Sequence, residues 1–127
     1  MKYFGTDGIR GPYEGPFLNE HFAHSLGKAL GAHLEATGES EQKVLSGRDT
    51  RPSGESLLNA FSQGLLDLGC HPLDAGILPT PALSSGVING NLGMGVMVTA
   101  SHNPSQDNGF KFFSGKGEKL SIQEEKL

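Results

Sequence analysis

Apolar residues at helical spacing alternate with short apolar runs along this chain, and that alternation constrains its fold more than any other feature. Phe22, Leu26, Ala29, Leu30 and Leu34 line one face of a helix expected from about Asn19 to Ala36. Asn19 is placed to cap it and Gly38 to end it. Leu57, Leu58, Phe61, Leu65 and Leu68 line a second helix from about Ser53 to Leu68, with Gly69 as its stop. A third opens at Pro79-Thr80-Pro81, with Thr80 as cap and Pro81 at the first helical position. It carries Leu83, Val87 and Ile88 and ends near Gly90. Between and around these lie strand candidates: Tyr3 to Arg10, Lys43 to Ser46, His71 to Ala75, Met94 to Val98 and Phe110 to Phe113. Strand and helix at these intervals predict βαβ units. The expected fold is α/β, a three-layer arrangement of a mixed or parallel sheet with helices on both faces. The chain's 127 residues allow one such domain with a real core, not two. Ser121-Ile122-Gln123-Glu124 reads as a capping box opening another helix. A domain seldom ends on a freshly capped helix, so more chain is expected beyond it.

The composition narrows the functional classes. Nineteen glycines and seven prolines are scattered among apolar segments, which argues for many tight turns rather than disorder. The net charge is −4 and the cations form no run, which argues against a nucleic-acid partner. Cys70 is the single cysteine and suits a reducing compartment. No leader pattern opens the chain, and no apolar stretch approaches the roughly 20 residues of a membrane helix. A soluble, cytoplasmic chain is expected. Faces that meet a further domain leave self-association open.

The chemistry concentrates in four segments. Gly95 to Val98 reads as a buried strand that stops at Thr99-Ala100-Ser101-His102-Asn103-Pro104. That puts the Ser101 hydroxyl at the end of a rigid element, where a seryl oxygen can act as nucleophile or phosphate carrier. Phe4-Gly5-Thr6-Asp7-Gly8-Ile9-Arg10-Gly11 is a glycine-punctuated turn ending in a cation. Gly47-Arg48-Asp49-Thr50-Arg51 is a strand-end loop with two more, and Asp107-Asn108-Gly109-Phe110-Lys111 brings a lysine close in sequence to the hydroxyl. Ligands of α/β sheets sit beyond the carboxyl ends of the strands, so Arg10, the Arg48–Arg51 turn, Ser101 and Lys111 are expected to gather there. Each residue has a plainer reading as well. Ser101 and Asn103 also suit a turn before Pro104. Arg10, Arg48 and Arg51 also suit ordinary surface cations, with Arg48 pairing Asp49. His21, His24 and His33 read as solvated helix residues, because no third ligand completes a site. Phe110, Phe112 and Phe113 read as core and sheet-edge packing.

Together, in this order, the four motifs resemble the first domain of the α-D-phosphohexomutases. The F-G-T-D-G-I-R-G opening and D-N-G-F-K-F-F are most similar to the phosphoglucosamine mutase branch, and Ser-His-Asn-Pro is common to the superfamily. The resemblance covers nearly the whole chain. It implies a phosphoserine at Ser101 that exchanges a phosphoryl group between the 6- and 1-positions of a hexose or hexosamine phosphate. The likeness to one branch implies glucosamine 6-phosphate and glucosamine 1-phosphate; phosphomannomutase or phosphoglucomutase activity stands beside it. It also implies catalytic roles for His102, Lys111 and Arg10. Thr6, Arg48, Arg51 and Asn103 would bind substrate or phosphate, or shape the loop. A Mg²⁺ ion would be ligated by Ser101 through its phosphate, and glucose 1,6-bisphosphate or glucosamine 1,6-bisphosphate would act as activator. The family has four domains, and the metal loop, the sugar-reading loop and the phosphate clamp belong to the other three. No Asp-x-Asp-x-Asp run occurs here. The chain is therefore expected to be a fragment of the enzyme, inactive alone, whose partners are the sugar phosphate and the remaining domains. A non-catalytic sugar-phosphate-binding or assembly module is the reading from another class. A serine hydrolase is disfavoured, because adjacent Ser101 and His102 seldom align as nucleophile and base and no G-x-S-x-G elbow is present.

Overall fold

The computed structural model of the 127-residue chain describes residues 9–12, 18–37, 43–90, 92–99 and 107–116. In chain order the elements are β1 (Ile9–Pro12), α1 (Glu20–Thr37), β2 (Lys43–Arg48), α2 (Gly54–Asp67), β3 (His71–Ile77), α3 (Thr80–Asn89), β4 (Met94–Val98) and β5 (Asp107–Ser114). The strands form one mixed sheet in the order β1-β5-β4-β2-β3. β2 runs parallel to both β3 and β4, while β5 lies antiparallel between β1 and β4.

Crossover handedness explains the layers. A right-handed connection from β1 to β2, or from β2 to β3, travels in one direction across the sheet. The connection from β3 back over β2 to β4 travels in the other. Equal handedness then places α1 and α2 on one face and α3 on the opposite face. The core divides accordingly. Leu26, Leu30 and Leu34 of α1 and Leu57, Phe61 and Leu65 of α2 pack with Val44, Val96, Val98, Phe110 and Phe112 on one side. Leu83, Met97 and Phe113 form a smaller cluster on the other, with Leu45 and Leu78 against it.

Local chemistry sets the element ends. Asn19 Oδ1 accepts a hydrogen bond from the Phe22 amide at 2.8 Å, as its position before the first apolar stripe predicts. Ser53 precedes α2 without a side-chain cap bond. Its Oγ instead accepts from Asn108 Nδ2 at 2.9 Å, which ties the helix start to β5. Gly69 ends the second helical segment with φ of +79°, a conformation that costs glycine little. Thr80 is not the cap of α3: Pro79 occupies that position in extended conformation, and Thr80 is the first helical residue. The Pro79 carbonyl accepts from the Ala82 and Leu83 amides, so backbone groups start the helix without a side-chain oxygen.

Several expectations shift in detail. β2 continues two residues past Ser46, and β3 two past Ala75. β5 spans eight residues rather than four, and it lies inside the sheet. Ala29 and Ile88 face solvent, while Ala23 is buried in place of Ala29. Phe110, Phe112 and Phe113 are all buried, as their reading as packing residues requires. The capping box at Ser121 lies outside the described residues.

Candidate functional site

The parallel strands deliver their carboxyl ends to one edge of the sheet. The antiparallel β5 brings its amino end to the same edge, since Val98 pairs with Phe110 and Pro12 with Asp107. Among the described residues, the turn after β2, the residue after β4 and the first residues of β5 meet there.

The Asp49 carboxylate is the hub of that edge. Its Oδ2 accepts from Thr99 Oγ1 at 2.5 Å and from Arg51 Nε at 3.0 Å, and its Oδ1 accepts from the Arg51 amide at 3.2 Å. The amide of Asp49 donates to the Val98 carbonyl at 3.3 Å. Arg51 Nη1 reaches the Asp107 carbonyl at 3.4 Å, and its side chain is only 9% exposed. The Thr99 amide donates to the Gly109 carbonyl at 2.9 Å. Thr99 and Asp107 are the described residues that bracket positions 100–106, the sequence containing Ser101.

Arg48 goes elsewhere. Strand alternation on β2 sets it on the face of Val44 and α2, where its Nη2 lies 3.5 Å from Glu55 Oε2. Its carboxylate partner is therefore Glu55, and the partner of Asp49 is Arg51. Lys111 is half-buried on β5 opposite Met97, on the α3 face. Arg48 and Lys111 thus leave opposite faces of the sheet. The backbone register pairs position 10 with Gly109, diagonally across from position 111. Thr6, Ser101, His102 and Asn103 lie outside the described residues. His21 and His33 are exposed, and His24 Nε2 lies 2.7 Å from Asp67 Oδ2, away from this edge. Among the described residues no three His, Cys, Asp or Glu side chains converge on a point that would hold a metal ion.

Sequence reasoning did not single out Asp49 and Thr99. The signal for Asp49 was present in its spacing: an aspartate two residues before an amide it can accept from is the signature of an Asx turn. Nothing in the sequence separates Thr99 from the other small polar residues around it. The Asn108–Ser53 bond joins residues 55 apart, and no local pattern announces it.

The chain matches the family model described as phosphoglucomutase/phosphomannomutase, alpha/beta/alpha domain I, over residues 1–127. It is 45% identical to the phosphoglucosamine mutase of Bordetella pertussis, an alignment covering 94% of this chain and 28% of that protein. It is 46% identical to the phosphoglucosamine mutase of Pediococcus pentosaceus, covering 95% of this chain and 27% of the relative. Among solved structures, a phosphoglucomutase/phosphomannomutase family protein from Burkholderia thailandensis superposes with a TM-score of 0.84 at 31% identity, over 97% of this chain and 28% of that one. A Thermus thermophilus protein described as a phosphomannomutase gives 0.87 at 35% identity, with the same two coverages. The chain thus spans little more than a quarter of the length of these relatives. With the strand order, the helix layers and the whole-length match in agreement, the chain belongs to the phosphoglucomutase/phosphomannomutase family, as its α/β/α domain I.

Proposed function

We propose that this chain is the phosphoserine-bearing domain of a phosphohexomutase, with Ser101 as the phosphoryl carrier and glucosamine 6-phosphate and glucosamine 1-phosphate as the exchanged pair. One observation carries the reading: Thr99 and Asp107, which bracket the Ser101 sequence, are both bonded into the carboxyl edge of the sheet. Rigid attachment of this kind suits a group that must meet a substrate in one geometry. The relatives named phosphoglucosamine mutase support the choice of sugar.

In the proposed reaction the bond from phosphorus to Ser101 Oγ breaks as one forms to a sugar hydroxyl oxygen. The hydroxyl proton passes to Ser101 Oγ, with His102 as relay. The resulting bisphosphate turns and returns its other phosphoryl group, which restores the phosphoserine. Phosphoryl transfer asks mainly for positioning and charge neutralisation. A phosphoserine carries roughly −1.5 to −2 charges near neutral pH, which sets the demand for cations around it. Lys111 and Arg10 supply positive charge, while Thr6 and Asn103 shape or bind at the edge. Arg48 and Arg51, already engaged with Glu55 and Asp49, act on the phosphate only through what these pairs leave exposed. A Mg²⁺ ion would neutralise phosphoryl charge. The family resemblance assigns its remaining ligands to the rest of the enzyme, and no step is drawn through it.

Intact-mass analysis tests the carrier role. After incubation with glucose 1,6-bisphosphate, the full-length protein should gain one phosphate, mapped to Ser101 and absent from Ser101→Ala. Lys111→Met should slow the gain about tenfold or more, as loss of a charge-stabilising group does. No phosphate on Ser101 in the full-length protein would sink the reading. The ratio of kcat/KM for glucosamine, mannose and glucose phosphates then decides the sugar. The 127-residue chain alone should show no turnover; sugar-phosphate binding without phosphorylation would favour the binding-module reading.

A further inference from the structure

We propose that Asp49 is a positioning residue that holds both ends of the Ser101-bearing connection in place. The inference rests on the carrier role proposed for Ser101, but its geometry lies wholly in described residues. One carboxylate oxygen joins Thr99 Oγ1, at the exit of β4, to Arg51 Nε. Arg51 in turn reaches the Asp107 carbonyl, at the entry of β5. A single Asp–Arg unit therefore spans the gap between the two strands from which positions 100–106 depart. The Thr99 contact, at 2.5 Å, is a hydroxyl donating to a carboxylate oxygen that also accepts from a guanidinium.

The same geometry redefines Arg51. Its backbone amide and its Nε both donate to Asp49, and its side chain is nearly buried. A guanidinium held this way sets the shape of the edge more than it offers an open fork to a phosphate. Asp49 does not touch the reacting atoms in this scheme. It acts through Thr99, two residues before Ser101, and a shift of about 1 Å at such a point can slow chemistry on the order of a hundredfold.

Three variants of the full-length protein test this: Asp49→Asn, which removes the charge and leaves one oxygen where two accept from Thr99 and Arg51, Thr99→Val, which keeps shape and removes the hydroxyl, and Thr99→Ser, which keeps the hydroxyl. Two readouts are needed. The first is hydrogen exchange at the Thr99 amide, with the amides of Val44 to Ser46 as internal reference. The second is the rate at which glucose 1,6-bisphosphate phosphorylates Ser101. Asp49→Asn and Thr99→Val should each speed exchange at Thr99 about tenfold without changing the reference amides, and slow phosphorylation about tenfold or more. Thr99→Ser should recover most of both, and the double variant should be no slower than either single one. The proposal is overturned if Thr99→Val leaves exchange at Thr99 unchanged, or if Thr99→Ser is as slow as Thr99→Val. Should unmutated protein take no phosphate on Ser101, the carrier reading fails, and the exchange data alone then decide whether Asp49 holds the strand ends.

Discussion

On one face of the sheet, two helices cover the strands and lie against each other with almost no space between their backbones. A Cβ on Gly27 of α1 would overlap the Phe61 carbonyl oxygen, and one on Gly64 of α2 would overlap the His24 carbonyl oxygen. Beneath them Phe61 sits 5.5 Å from Phe110 and 6.2 Å from Phe112, ring centre to ring centre. On the other face, among the described residues, a single ten-residue helix covers the sheet. It reaches the strands through small residues: a Cβ on Gly95 would come within 2.6 Å of Val87 Cγ2, and one on Gly86 within 2.8 Å of Leu45 Cδ2. Leu73 and Ile77 on the edge strand and Ile88 on α3 remain 40%, 56% and 53% exposed. Among the described residues the larger buried cluster lies on the two-helix face, whereas Lys111 lies on the other.

That contrast can be broken by mutation. The largest loss is expected for Phe61→Ala, which removes the ring joining α2 to β5, at about 3–5 kcal/mol. Gly27→Ala follows, at about 1–3 kcal/mol, because backbone atoms rather than a flexible side-chain end must move. Both are read by urea denaturation; a loss below about 1 kcal/mol for either would mean that the two-helix face is looser than its geometry implies.

A matched pair sharpens the comparison. Leu65 and Leu83 are each 0% exposed, so buried area alone predicts equal losses on truncation to alanine. Leu→Ala costs in cores run from about 2 to 5 kcal/mol, depending on how well the site collapses. Leu65 is held between two helices and the sheet and should fall near the upper end. Leu83 lies under one short helix that can settle onto the strands, and should fall near the lower. Equal losses in the two denaturation curves would show that α3 is as constrained as α2.

The two faces were also unequally legible in the sequence. In the stripe Leu57, Leu58, Phe61, Leu65 and Leu68 the first four share one helical period and one environment, so their burial followed from spacing, whereas Leu68 lies just past the end of α2 and is half-buried. β3 reads as a strand from composition, but edge position depends on where β4 inserts. That placement arises from the return crossover, which no local pattern records. Ile88 fits the apolar stripe of α3 and yet faces water, because one helix on a sheet has a narrower covered stripe than one packed on both sheet and helix. The candidate site divides in the same way. Its motifs were visible as residue types near strand ends, whereas partner choice depends on which face each strand turns to the helix. Arg48 meets Glu55 across that boundary and leaves Asp49 to Arg51.

The smallest expected effect lies at the rim of the two-helix face. Asp67 of α2 accepts from Gln63 Nε2 at 3.0 Å and lies 2.7 Å from His24 of α1. These contacts, the Gln63 bond first and His24 second, hold its carboxyl below the ordinary value. A carboxylate whose folded pKa is depressed stabilises the fold above its unfolded pKa, and that stabilisation is lost as pH falls through the folded value. Asp67→Asn should therefore lower the melting temperature slightly at pH 7, and the gap from the unmutated protein should close as pH falls below the usual carboxylate range. Because the group is solvent-exposed, added salt should shrink the His24 part of the gap and spare the Gln63 part. A gap that stayed open well below the usual carboxylate range would show that the α1–α2 rim is held by something other than this carboxylate.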